Sequence, residues 1–444
     1  MKLLLFNLSL FFFLFSIISY YYIQLMFMIM IILLILLVNG YSNDLFEMIY
    51  WEFGVDNFSF ILVLLIYWVM FMIVLASLTS LNSNFFNNLF MFYFLILVNA
   101  LFLVFMSTNV LLFYVFFELS LIPMFLLIVG WGVQFHRLEA AFYMFIYTFL
   151  FSLPLLVSLA YLDDCGASPS FLISNFSLTK GFYLFLFMNL GFLVKLPVYM
   201  LHLWLPKAHV EASVGGSMIL ASVMLKLGSY GILRFMLMYL WMYQLNYLLL
   251  VVVASVGSLL ASLVCLRQMD LKVLVAYSSI VHMGVLLSGM ILLNSVGVLG
   301  GLMMMISHGL CSSGMFALVN FLYERLSSRS MFIIKGMLMI FPYLTCVWFM
   351  ITVNNMSSPP SLSLFGEYFL FLVISFKSIK LMILVSFTLF FSACYSIFFY
   401  AYSQYGKLNN NLYFMKNIFI REYLIILMHL IPLNLIFLNL FIFS

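Results

Sequence analysis

Residues 195–234 read KLPVYMLHLWLPKAHVEASVGGSMILASVMLKLGSYGILR. Two lysines, Lys195 and Lys226, stand inside runs that are otherwise apolar, and Pro197 and Pro206 interrupt the first of these runs. A proline removes a backbone donor and clashes with the carbonyl one turn earlier, so the first run cannot be a straight helix. Lys226 lies about ten residues from the nearest end of its own run. That is too deep for its ammonium to snorkel to water. Gly215, Gly216 and Gly228 around it permit close helix approach. Buried lysines in proline-interrupted apolar runs describe a membrane protein with a polar interior.

The whole chain agrees. Of its 444 residues, 67% are hydrophobic and 7% charged, where a soluble globular chain carries about 25% charged residues. So few charges cannot solvate a surface of this size, which excludes two or three soluble domains. A net charge of +4, spread along the chain, excludes nucleic-acid binding. About 20 apolar residues cross a bilayer as a helix. Fourteen such runs lie near 3–19, 22–38, 57–79, 86–107, 110–129, 139–160, 182–204, 211–236, 245–265, 272–292, 297–321, 337–373, 380–402 and 423–442. The first 38 residues are too long for a signal-peptide core and lack its cleavage site, so they read as two spans. Fifty-three Phe, 33 Met and 27 Tyr have A/T-rich codons and hint at an organellar genome.

The twelfth run contains Asn354-Asn355 and Pro359-Pro360 and is expected to be broken, like the seventh around Pro197. The breaks lie 162 residues apart, each in the fifth helix of a block. Interrupted spans in corresponding halves are the best sequence pointer to a transporter's ion site. The expected organisation is three N-terminal helices in 1–80, repeats in 81–240 and 241–405, and a loop with a last helix in 406–444. With fourteen spans both termini share one side. Loops on that side carry five basic residues and those opposite carry ten. The positive-inside rule then turns both termini to the outer compartment.

Between Asp56 and Arg137, Glu118 is the one charged residue in 80. A carboxylate at mid-span costs about 2.5–3.5 kcal/mol on insertion scales, so it is read as a proton-exchanging group or half of an ion pair with Lys195. His202 and His209 follow Lys195 at seven-residue steps, which would line one face of a continuous helix. His209 is expected near the membrane interface. Further on, His282 and His308 sit in apolar spans rich in Ser, Gly and Met, and Glu367 follows the broken stretch. These groups read as a relay from Lys226 through His282 and His308 to Glu367. Arg267, Asp270, Lys272, Glu324, Arg325 and Arg329 read as interface anchors and partner contacts, and Arg234 as a loop charge. The scattered cysteines offer no CxxC pair, zinc knuckle or iron–sulfur ligation and are read as packing residues. The histidines do not supply axial haem pairs. No phosphate loop or nucleophilic triad is present.

Together with the opening stretch, FFELSLIPMFLLIVGWG, RQMDLKVLVAYSSIVHMG, ISHGLCSSGMFALVNFLYERLSSRS and SPPSLSLFGE resemble the subunit 4 family of antiporter-like membrane subunits in mitochondrial NADH:ubiquinone oxidoreductase, respiratory complex I. The resemblance covers roughly residues 85–430. It implies an all-α polytopic fold of about 14 transmembrane helices, with two inverted five-helix repeats that each contain a broken helix. It makes Glu118 and Lys195 a glutamate–lysine pair, Lys226 the central lysine, His282 and His308 histidines of a hydrated axis, and Glu367 the distal glutamate. Ser213 stands where the family usually has proline, Gly215 where it has Ser or Ala, Ser229 where it has Gly, and His136 where it has Glu. The implied function is proton translocation across the inner mitochondrial membrane, coupled to NADH:ubiquinone oxidoreduction. No cofactor is expected in this chain; NADH, FMN, iron–sulfur clusters and ubiquinone belong elsewhere in the complex. Expected partners are other membrane-arm subunits, chiefly neighbouring antiporter-like ones, and phospholipids such as cardiolipin. The alternatives are a cation/proton antiporter subunit and a non-transporting membrane scaffold.

Overall fold

The computed structural model describes residues 47–50, 52–81, 87–164, 171, 182–238, 243–407, 417–438 and 440. The first two expected spans, both termini and the charges at Asp44, Lys180 and Lys416 lie outside them. A short antiparallel hairpin, β1 (Glu47–Tyr50) and β2 (Phe53–Val55), leads into α1 (Asn57–Leu81) and α2 (Asn87–Met106). Next come α3 (Val110–Leu119), α4 (Leu121–Trp131) and α5 (Arg137–Asp164). Then follow α6 (Phe182–Lys195), α7 (Trp204–Glu211), α8 (Val214–Ile219), a π-helical turn over Leu220–Met224, and α9 (Leu225–Met238). The second half holds α10 (Tyr243–Cys265), α11 (Leu271–Met290) and α12 (Ser295–Leu326). It ends with α13 (Met337–Ile340), α14 (Pro342–Asn355), α15 (Leu362–Lys377), α16 (Ile379–Gln404) and α17 (Ile420–Leu435). Ten spans among the described residues are long and apolar enough to cross a membrane. Two further spans are each built from two half-helices, α6 with α7 and α14 with α15.

Both expected breaks occur. The second falls where the Asn and Pro pairs stand, between Asn355 and Leu362. The first differs from the sequence reading. Helix ends at Lys195, residues 196–203 are unwound, and helix resumes at Trp204. Pro197 cannot continue the ladder of α6, whereas Pro206 sits in the first turn of α7, where its missing N–H costs nothing. The seven-residue step from Lys195 to His202 therefore crosses coil, and the single-face geometry does not hold.

Burial sorts the helices. The apolar middle stretches of the α8–α9 span and of α12 are wholly enclosed, whereas those of α5, α16 and α17 are about a third buried. The enclosed spans carry the Ser, Gly, Lys and His of the sequence; the outer ones show Phe, Leu and Ile. Loop contacts fall into two sets, one at each end of the bundle. At one end Thr108 N–H donates to the Glu52 carbonyl at 2.9 Å, and Asp56 pairs with Arg234. At the other, Val133 N–H reaches the Glu211 carbonyl at 3.1 Å, Leu271 N–H the Arg329 carbonyl at 3.1 Å, and Gly336 N–H the Tyr405 carbonyl at 3.3 Å. Each contact joins connections separated by an even number of spans, as antiparallel alternation requires.

Candidate proton-relay site

The central lysine takes its position from the π-helical turn that precedes it. Lys226 is 0% exposed. Its ammonium donates to the Ala221 carbonyl at 2.6 Å, within the π turn, and meets His308 Nδ1 at 2.9 Å. Such turns inside α-helices are frequent at functional sites. A lysine ammonium has donors only, so His308 Nδ1 is the acceptor and the proton of the neutral ring sits on Nε2. That Nε2 is buried and has no partner among the described residues.

Beyond His308 stands His282, its ring centroid 5.8 Å away. His282 Nδ1 lies 3.0 Å from Glu367 Oε1, and its Nε2 lies 3.3 Å from the Tyr395 hydroxyl. The other Glu367 oxygen accepts from the Ser357 hydroxyl. Ser357 sits in the break between α14 and α15 with φ 51°, a left-handed conformation uncommon for a non-glycine residue. The spatial order is therefore Lys226, His308, His282, Glu367. Sequence reading placed His282 before His308; the fold reverses them, because α12 crosses between α9 and α11.

Glu118 and Lys195 are neighbours without forming an ion pair. The Lys195 ammonium donates to the Phe117 carbonyl at 3.1 Å and lies 3.0 Å over the centre of the Phe117 ring. Glu118 is the next residue, half-buried, with Oε1 unpartnered among the described residues. Pro123 leaves a carbonyl one turn back without a donor, and α3 gives way to α4 at Ser120, whose hydroxyl also bonds the Phe117 carbonyl at 2.7 Å. Gly228 brings the end of α6 against α9: a Cβ there would lie 2.9 Å from both the Phe192 carbonyl and Leu196 N. The Lys195 end of α6 is thereby wedged beside the helix that carries Lys226.

The two remaining histidines divide. His202 lies in the unwound stretch, where its Nδ1 accepts from Met200 N–H at 3.2 Å and its ring stacks on Tyr199. His209 was expected near the interface, yet it is 0% exposed and stacked 4.5 Å from Phe316, with neither ring nitrogen partnered among the described residues. Half-helix α7 folds inward and carries it there. Of the residues read as loop anchors, Lys272 is buried, and the Arg325 side chain is covered where it pairs with Glu422 at 2.5 Å. Arg234, read as a loop charge, is buried against Asp56. Sequence reading missed Tyr395, Ser357 and His429. Tyr395 is an ordinary residue whose partner lies 113 positions away, and Ser357 meets Glu367, ten positions on, only through the conformation of the break. His429, inside an apolar run, carried a signal that could have been followed. Among the described residues no group of three His, Cys, Asp or Glu side chains is placed to hold a metal ion.

Two broken helices and an enclosed line of lysine, histidines and glutamate define a polytopic membrane subunit of the proton-antiporter type. Residues 107–392 match the family described as NADH:quinone oxidoreductase/Mrp antiporter, TM. Residues 1–105 match NADH-ubiquinone oxidoreductase chain 4, amino terminus. NADH-ubiquinone oxidoreductase chain 4 of Ceratitis capitata is 47% identical over 405 residues, 91% of this chain and 90% of that one. Its counterpart in Aedes aegypti is 44% identical, covering 89% of each. A chain of respiratory complex I from Thermus thermophilus with bound NADH shares the fold at TM-score 0.87 and 23% identity, over 98% of this chain and 94% of that one. A chain of the membrane-bound sulfane sulfur reductase, an archaeal respiratory membrane complex, does so at TM-score 0.86 and 18% identity, over 98% of this chain and 75% of that one. The chain belongs to the NADH-ubiquinone oxidoreductase chain 4 family, antiporter-like membrane-arm subunits of respiratory complex I.

Proposed function

We propose that this chain carries protons across the inner mitochondrial membrane, driven by quinone reduction elsewhere in complex I. The observation that carries this reading is the enclosed line from Lys226 through His308 and His282 to Glu367, with contacts of 2.9 Å at one end and 3.0 Å at the other. Charged groups inside a membrane are costly, and a scaffold has no use for them. Glu118 and Lys195 form the switch. Closing that pair to about 4 Å would add roughly 4 kcal/mol of attraction at an effective dielectric near 20, holding a proton on Lys195. Opening it releases that hold and passes the proton toward Lys226. His202, in the unwound stretch, and His209, beside it on α7, provide a secondary path.

NADH, FMN, iron–sulfur clusters and ubiquinone act in other subunits, and no cofactor chemistry is assigned to this chain. The exposed Phe, Leu and Ile faces of α5 and α16 suit neighbouring antiporter-like subunits and phospholipids such as cardiolipin. The end of the bundle bearing Arg325 and Arg329 faces the matrix, and both termini face the intermembrane space. Replacing Lys226 with Met tests the relay: the complex should assemble, yet lose most coupled quinone reduction and pumping. Lys207→Met is the control. That residue is exposed, over the Tyr143 ring at 3.7 Å, and its loss should change little. Normal assembly of Lys226→Met with the parental proton-to-electron ratio would remove the relay and leave the scaffold.

A further inference from the structure

Between α6 and α7 the chain makes a tight turn whose third residue is held in a conformation its side chain opposes. Leu201 N–H donates to the Val198 carbonyl at 2.9 Å, closing a four-residue turn over Val198–Leu201. Met200 has φ 84° while Tyr199 keeps a negative φ. Together these make a type II turn, in which that third position ordinarily takes Gly or Asn. A methionine stays there only where its surroundings hold it. The holder is His202. Its Nδ1 accepts from Met200 N–H at 3.2 Å, and its ring stacks on Tyr199 at 4.8 Å and meets Tyr277 of α11 edge-on at 6.0 Å. Those two tyrosines are the titratable groups set against the ring. α10 and α11 face the turn with Ala254, Gly257, Ser258, Ile280, Met283 and Gly284, none of them charged.

The turn joins an anchored half-helix to the end that carries Lys195. On the α7 side, Leu205 N–H bonds the His202 carbonyl at 3.0 Å, His209 stacks on Phe316 of α12, and Arg329 donates to the Val210 carbonyl at 2.9 Å. On the α6 side, Val198 is shared. Its carbonyl closes the turn, and its N–H reaches back to the Leu193 carbonyl, in the last turn of α6, at 3.4 Å. Lys195 lies within that bond. A cavity of about 10 Å³ lies between Leu196–Tyr199 and the facing helices, about the room of one water, so the stretch has slack on that side.

Resting on the relay reading above, we infer that His202 is a positioning residue for Lys195, a latch that holds the Tyr199–Met200 peptide one way when neutral and turns it over when protonated. Accepting at Nδ1 places the neutral ring's proton on Nε2. A proton delivered through water adds to Nδ1, the ring's one lone pair, and the imidazolium then has two N–H donors and no acceptor. The bond from Met200 N–H is lost. Types I and II differ by turning over the middle peptide, which takes φ of the third residue from about +80° to about −90°. That rotation brings Met200 out of the left-handed region, turns its N–H away and presents the Tyr199 carbonyl to Nδ1–H. Return of the proton to water restores the type II turn. Each cycle shifts the hold of Val198 on α6, so the proton on His202 sets where Lys195 lies between the Phe117 carbonyl and Glu118.

The test uses assembled complex I in sealed inner-membrane vesicles. Hydrogen–deuterium exchange of residues 196–203, corrected for the intrinsic pH dependence of exchange, is followed beside coupled ubiquinone reduction from about pH 5.5 to 8.5. The parent should show one amide that loses protection on acidification in a single-proton transition. His202→Phe keeps the ring stack and lacks the acceptor, so that amide should be unprotected throughout. Met200 is 81% exposed and does not titrate, and its variants decide the matter even where His202→Phe fails to accumulate. Met200→Gly removes the left-handed penalty and should move the midpoint about one pH unit lower, whereas β-branched Met200→Val adds to the penalty and should move it higher. The pH profile of coupled turnover should move with each, in opposite directions, which packing damage would not produce. Absence of the transition in the parent, or parental midpoints in both Met200 variants, would overturn the latch and leave the relay to be judged by Lys226→Met. Displaced exchange midpoints with an unmoved turnover profile would overturn the positioning of Lys195. Lys226→Met at the parental proton-to-electron ratio would bring down the relay, and the positioning role with it.

Discussion

Asp56 is the last residue before α1 and Arg234 lies near the end of α9, 178 positions later, yet both are buried and paired. Sequence reading could not join them, because each stands at the edge of an apolar run, where a charge ordinarily meets water. Removing one partner of a buried pair typically costs about 3–5 kcal/mol, while replacing both with apolar residues is often close to neutral. Asp56→Asn should therefore lower the amount of assembled complex and its resistance to thermal inactivation. Asp56→Leu combined with Arg234→Leu should recover much of the loss. A double variant as poor as the single one, on native gels and in inactivation half-life, would mean that the charges themselves are needed. The residues of the proposed relay were legible for the opposite reason. Glu118, Lys226 and Glu367 stand alone in apolar surroundings, and no edge explains them away.

Among the elements, the breaks were legible and their consequences only in part. Asn354-Asn355 and Pro359-Pro360 mark the second break because proline there leaves carbonyls without donors. The first break was visible at Pro197, but its extent was not, since nothing local says that residues 198–203 stay unwound before Trp204. The π turn at Leu220–Met224 is equally silent in sequence: it is one residue of extra width in an ordinary apolar run. Its effect is to hold Lys226 on its own backbone and on α12. The contact of α12 with α15 is just as close. A Cβ on Gly366 would lie 2.6 Å from Met304 Cγ and 3.0 Å from Met304 N. Overpacking of this kind typically costs about 1–3 kcal/mol, and here it would push aside the residue next to Glu367. Gly366→Ala is expected to reduce coupled turnover more than assembly. Gly130→Ala, where nothing lies within 4 Å of the new methyl, should be silent in both measurements. Equal effects from the two would show that the α12–α15 approach does not position Glu367.

For the whole molecule, alternation was readable and burial was not. Charge counting placed Lys272 and Arg325 in loops, and the backbone bonds from Leu271 to Arg329 and from Met331 to Met269 confirm the loops themselves. Those loops fold over the bundle end, and the charges are covered as Arg325 pairs with Glu422 and Arg329 donates to the Val210 carbonyl at 2.9 Å. Arg137, Lys207, Arg267, Lys335, Lys407 and Arg421 share this end. The opposite end carries Glu52, with Asp56 neutralising Arg234 and Lys377 and Lys380 as its other described basic residues. Lysine and arginine cross poorly during insertion and stay on the synthesis side, which is the ground for the proposal that the basic end faces the matrix. Cysteines placed by Tyr50→Cys and Ser327→Cys should consequently react with an impermeant maleimide from opposite sides: the first in intact mitoplasts, the second only after the inner membrane is opened. Labelling of both in sealed mitoplasts would put the two ends on one side. That result would contradict the odd number of spans between them, and with it the antiparallel alternation that sets Lys226 and Glu367 in the middle of their spans.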